Sequence, residues 1–126
     1  MKLGIVKAKY NAGITDKMLE SALEKAEELG KDVEVLEVPG AYDTPLAADR
    51  LARKEDIEAI VVLGAIIKGD TDHDKVIGDT AAQKLSQISL DRDKPVMLGI
   101  TGPGMTAEEA KERIDRLKKD IEDHNY

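Results

Sequence analysis

A three-layer αβα sandwich on a four-stranded parallel sheet is the fold class this sequence predicts, and three observations predict it. Four short runs are apolar and β-branched enough to be strands buried on both faces, as parallel strands are. Helical patterns alternate with them at short spacing, which marks βαβ units with helices on both sides of the sheet. The 126 residues suffice for one such domain and its core, and fall short of a second.

The strands are expected at residues 2–8, 33–38, 57–66 and 96–101. The first helix carries Leu19, Ala22, Leu23, Ala26 and Leu29 on one stripe and stops at Gly30. The second runs from about Tyr42 to Arg53, with Leu46 and Leu51 inward. The third follows from Ile77, Ala81, Leu85 and Ile88, with residues 70–72 supplying its first turn. The last opens on Thr106-Ala107-Glu108-Glu109, a capping box after the turn Gly102-Pro103-Gly104, and continues with Ala110, Ile114, Leu117 and Ile121 on one face. No repeat, linker or low-complexity tract interrupts this pattern. The ends of parallel strands gather on one edge, where open α/β proteins hold their ligands. The segments after the four strands, around Tyr10, Tyr42, Asp70 and Gly102, therefore form the candidate site.

Composition narrows the function classes. Lysine and arginine number 19 against 26 acids, a net charge of −7, and a pI near 4.9 argues against nucleic acid or an anionic membrane as partner. No window approaches the roughly 20 apolar residues of a membrane span, and the first residues turn polar too soon for a signal peptide, so a cytoplasmic location is expected. The chain has no cysteine, which excludes disulfides, thiolate nucleophiles and zinc-thiolate sites. Phe and Trp are absent too. That leaves Tyr10 and Tyr42, each just past a strand, as conspicuous rings beside Tyr126.

The richest stretch is Gly69-Asp70-Thr71-Asp72-His73-Asp74, where a buried strand hands over to a helix. A helix N-terminus offers unpaired N–H groups and partial positive charge, enough to hold a phosphate. His73 beside it is of the residue type best suited to move protons. The plainer alternative makes Asp70 or Thr71 an ordinary N-cap and His73 a solvated residue. Calcium fails, because Lys75 stands where a calcium loop needs glycine and Ala81 where it needs glutamate. His73 and His124 lack partners at zinc-ligand spacing, and neither a nucleophile elbow nor a Gly-x-x-x-x-Gly-Lys phosphate loop occurs. Tyr10 is suited to stack on a flat heterocycle or to pack its loop. Asp43 is suited to accept hydrogen bonds from a polyol, or to open the second helix before Pro45. Arg113 belongs to a solvated helix face, paired with Glu109, unless an anion recruits it.

Four blocks in order carry a resemblance that covers nearly the whole chain. They are Tyr10-Asn11 with Ile14-Thr15, Val38-Pro39-Gly40-Ala41-Tyr42-Asp43 with Pro45-Leu46-Ala47, Leu63 through Asp74, and Gly99 through Thr106. Together they resemble 6,7-dimethyl-8-ribityllumazine synthase of the archaeal type. The resemblance implies a flavodoxin-like sandwich and a step of riboflavin biosynthesis: condensation of 5-amino-6-ribitylaminouracil with 3,4-dihydroxy-2-butanone 4-phosphate, releasing phosphate and water. It implies no metal or organic cofactor, and a homopentamer, or a multiple of pentamers, whose sites are shared between neighbours. Carried over by position, Tyr10 stacks on the pyrimidine, Ala41, Tyr42 and Asp43 hold the ribityl chain and ring edge, and Ala65, Ile66 and Ile67 line the pyrimidine through backbone groups. Asp70 and Thr71 take the phosphate, His73 shuttles protons and Arg113 is the phosphate's cationic partner. Leu98 enters the neighbour's pocket, and Lys118 or Lys119 matches a basic position of the last helix. Two rivals stay open: the archaeal-type riboflavin synthase, whose substrate lacks the phosphate that the Gly-Asp-Thr turn suits, and a silent self-assembling scaffold of the same fold.

Overall fold

The computed structural model describes residues 2–67 and 73–105. In chain order they form β1 (Lys2–Ala8), α1 (Ala12–Glu28), β2 (Asp32–Val38), a 3-10 turn (Ala41–Asp43), α2 (Thr44–Ala52), β3 (Ile57–Ile67), α3 (Asp74–Arg92) and β4 (Val96–Met105). All strand pairings are parallel, in the order β2-β1-β3-β4. The expected fold class is therefore the observed one. The last helix expected from Thr106 onward lies outside the described residues.

Alternation along the strands builds two half-cores. Ile5, Val61, Leu63 and Met97 pack with Ile14, Met18 and Ala22 of α1. The opposite face sets Val6, Ile60 and Val62 against Ala47, Ala48 and Leu51 of α2 and Leu85 of α3. Such burial stabilises by about 25 cal/mol per Å² of apolar area removed from water, and alanines on the helices let them approach the sheet closely. Lys7 is the polar exception on β1. Its buried ammonium ion-pairs with Asp16 of α1 at 2.6 Å, which offsets the cost of desolvation.

Helix α1 ends as expected at Gly30. Gly30 takes φ 68°, its N–H donates to Glu27 O, and the Lys31 N–H donates to Ala26 O, a Schellman closure. Several expectations need correction. Leu23 and Leu46 are exposed, because the faces that meet the sheet are set by Ile14, Met18, Ala22 and Ala26 on α1 and by Ala47, Ala48, Leu51 and Ala52 on α2. Strand β2 is only half-buried, since it is the edge of the sheet. The second helix starts at Thr44, after the 3-10 turn. The third starts at Asp74 with His73 at its N-cap, later than the expected first turn at 70–72. Finally, β4 continues through the expected turn to Met105. Ala65 pairs with Thr101 and Ile67 with Met105, so Ile66 stands opposite Gly102, Pro103 and Gly104. This bulge accommodates a proline that cannot donate to the ladder.

Candidate functional site

The carboxyl edge of the sheet is organised by backbone clips between its loops. Past β1, the Lys9 N–H donates to Val38 O at 2.8 Å and the Tyr10 N–H to Pro39 O at 3.0 Å. Asn11 takes the left-handed conformation, φ 63° and ψ 46°, and begins α1. Its Nδ2 donates across the sheet to Ala65 O at 2.8 Å. Past β2, the Gly40 N–H donates to the Asp43 carboxylate at 3.0 Å while the Asp43 N–H returns a bond to Gly40 O at 3.1 Å. The buried Thr44 hydroxyl donates to Ala41 O at 2.7 Å, fixing the same turn from within.

These clips shape an apolar cavity of about 120 Å³ lined by Tyr10, Gly40, Ala41, Tyr42, Ala65, Ile66 and Ile77. Tyr10 is 58% and Tyr42 63% exposed, so both rings present faces to the outside where core aromatics would be enclosed. Tyr42 also borders a wider groove of about 570 Å³, beside Asp43, Leu46 and Arg50. The apolar cavity and the wider groove thus meet the same ring, Tyr42, and the groove adds the charged groups Glu37, Asp43 and Arg50 to a mainly apolar wall.

Of the residues expected at the site, Tyr10, Ala41, Tyr42, Ala65 and Ile66 meet around the cavity. Asp43 sits in the adjoining groove, its carboxylate already accepting from Gly40. His73 stands at the start of α3, and its carbonyl accepts the Ile77 N–H at 3.0 Å. Because Ile77 lines the cavity, His73 lies one helical turn from it. Leu98 is not brought to the cavity: it is 48% exposed on the edge strand β4, level with Val62. Ile67 ends β3, while Asp70, Thr71, Arg113, Lys118 and Lys119 lie outside the described residues. Among the described residues no group of three or more His, Asp or Glu side chains could hold a metal ion. Two residues were missed from sequence. The helical stripe places Ile77 in the core, and no motif or spacing gives Asn11 a role.

Known proteins match this chain over almost its whole length. Residues 1–125 match the family model described as 6,7-dimethyl-8-ribityllumazine synthase. Relatives bearing that name include one from Halorubrum lacusprofundi, 54% identical over 117 residues that cover 92% of this chain and 87% of that protein. Another, from Methanococcus aeolicus, is 47% identical over 123 residues, covering 97% and 90%. A third, from Methanothermobacter thermautotrophicus, is 45% identical over 123 residues, covering 97% and 88%.

Proposed function

The chain belongs to the 6,7-dimethyl-8-ribityllumazine synthase family and is a transferase of riboflavin biosynthesis, and from that premise we propose how its own residues perform the condensation. The substrates are 5-amino-6-ribitylaminouracil and 3,4-dihydroxy-2-butanone 4-phosphate. The observation that carries the proposal is the apolar cavity on the carboxyl edge, bordered by Tyr10 and Tyr42, with Tyr42 also bordering a wider groove that holds Asp43. The pyrimidine occupies the apolar cavity against the exposed tyrosine rings, and the ribityl chain finds Asp43 along the groove.

In the reaction the amine of the pyrimidine attacks the ketone of the butanone phosphate, and water leaves to form an imine. Phosphate is then expelled, and ring closure releases a second water. Each step moves a proton, which His73 relays from its place one turn before Ile77. Asp70 and Thr71 hold the phosphate through backbone N–H groups, and Arg113 supplies the cation that stabilises the departing anion. Tyr10 stacks on the pyrimidine, and Ala65, Ile66 and Ile67 border its ring edge. Leu98 and Arg113 come from a neighbouring subunit of a homopentamer. Two features support that arrangement: Leu98 is exposed on β4, at the sheet edge opposite β2, and the tyrosines and Leu46 expose apolar surface beyond β1 and β2. No helix among the described residues is long and apolar enough to cross a membrane, and the enzyme works in the cytoplasm. Incubating the purified chain with both substrates and following lumazine fluorescence tests the proposal. Fluorescence should rise as phosphate is released, and turnover of lumazine into riboflavin, or no reaction at all, would overturn it.

A further inference from the structure

Strand β1 stops one residue after its last pairing with β3, Lys7 with Leu63, whereas β3 runs on to Ile67. Beyond Leu63, β3 keeps β4 on one side, and on the other side its ladder would lapse where the cavity opens. In a parallel strand one residue turns both its N–H and C=O to the same neighbour and the next residue turns them to the other side. Ala65 therefore directs its polar groups toward the gap above β1, and there its carbonyl receives the Asn11 amide at 2.8 Å.

Asn11 is unusual for a residue that begins a helix. Its side chain makes no capping bond, although its backbone carbonyl accepts from the Ile14 and Thr15 N–H groups at 2.9 and 3.1 Å. Its side-chain Nδ2 instead donates 54 residues away, to a peptide lining the cavity. The position also demands φ 63°. Glycine, aspartate and asparagine accept that conformation readily, and of these asparagine alone has an N–H to donate.

We infer that Asn11 is a positioning residue for the pyrimidine: by continuing the β1 ladder with its amide, it holds the Ala65–Ile66 peptide in one orientation against the ring edge. Tyr10 is placed by the same clip, since it is the residue before Asn11 and its own N–H is tied to Pro39. One side chain thus sets the stacking ring and the peptide edge relative to each other. The inference rests on the cavity being the pyrimidine site.

The test compares wild type with Asn11→Gly, which keeps the positive φ and deletes the amide, and Asn11→Asp, which sets an acceptor against the carbonyl. Calorimetric affinity for 5-amino-6-ribitylaminouracil, the KM of each substrate and the thermal midpoint are measured. Pyrimidine affinity should fall roughly tenfold in Asn11→Gly and further in Asn11→Asp. The KM of the butanone phosphate should stay within about twofold of wild type. Unchanged pyrimidine affinity in Asn11→Gly, or equal losses for both substrates in step with a lower thermal midpoint, overturns the inference and leaves Asn11 a clip of the fold. A wild-type chain that binds the pyrimidine without turning it over overturns the proposed reaction alone, and the variants still decide the inference by affinity. Wild type that binds no pyrimidine overturns both.

Discussion

His73 carries the proposed chemistry on geometry a single substitution can interrogate. It opens α3 one turn before a residue of the cavity wall, so its removal should disturb proton movement more than substrate binding. His73→Ala is expected to lower kcat by about 10- to 10³-fold with little change in either KM, measured by steady-state lumazine formation. A variant with unimpaired kcat would remove His73 from the mechanism. Most of the cavity wall was legible in the residues, because Tyr10 and Tyr42 are exposed rings in a chain without Phe or Trp and each follows a strand. Asn11 was not, since a side-chain bond to a carbonyl 54 residues away leaves no trace in periodicity. Ile77 was hidden for a different reason. A helical stripe reads the same whether its first residue meets the core or a cavity.

The strands were legible because β-branched runs between turn residues admit few other conformations. The bulge of β4 was not, because Gly102-Pro103-Gly104 signals a turn locally and only pairing with Ala65 and Ile67 keeps it in the sheet. Leu23 and Leu46 were misassigned because alanines, not leucines, face the sheet on their helices. Gly99 shows how closely β4 must approach β3: a Cβ there would lie 2.6 Å from the Val62 carbonyl oxygen and 3.1 Å from Leu63 Cδ2. Gly99→Ala should therefore destabilise the fold by about 1–3 kcal/mol, whereas Gly13→Ala, in open space on α1, should stabilise it by about 0.4–1 kcal/mol. Urea unfolding with a constant m value checks both, and a neutral Gly99→Ala would show that the two strands can separate freely. Asp49 ties α2 to α3, accepting from Arg92 Nε at 2.9 Å and pairing with Arg53 at 2.7 Å. The Arg92 hydrogen bond is the main cause that holds its carboxyl below the usual value of 3.8. The folded pKa is depressed, so this stabilisation is complete above the unfolded pKa and lost as pH falls through the folded one. Asp49→Asn should lower the thermal midpoint by about 1–3 °C at neutral pH and converge on wild type in strong acid. A gap independent of pH would assign the loss to packing.

At the scale of the whole molecule, the proposed reading assigns part of the site to a second chain. The sheet order places β2 and β4 at opposite edges, and Leu98 lies exposed on β4, while the exposed Tyr10, Tyr42 and Leu46 follow β1 and β2 in the chain. Two different faces of one subunit that meet in copies of itself make a heterologous contact, which closes into a ring when the rotation allows it. A domain of 126 residues has no need of partners merely to bury a core, so the argument for assembly is functional: Leu98 pairs with Val62 of β3 and is not among the residues that line the cavity of its own chain. We therefore expect a particle of five times the 13.7 kDa chain, or a multiple of that, in light scattering coupled to size exclusion. Leu98→Asp should break the particle down and abolish turnover together, because a charge on that edge disfavours the apolar contact and removes the neighbour's contribution to the site. Mixing this variant with His73→Ala chains, whose Leu98 edge is intact, distinguishes the two losses. If sites are shared, re-formed mixed rings contain junctions in which the wild-type cavity of a Leu98→Asp chain meets the wild-type edge of a His73→Ala chain, so part of the activity returns, whereas mixtures that stay inactive would place both parts on one subunit. A fully active monomer of the Leu98→Asp chain would instead place every necessary residue on one subunit and end the case for the ring.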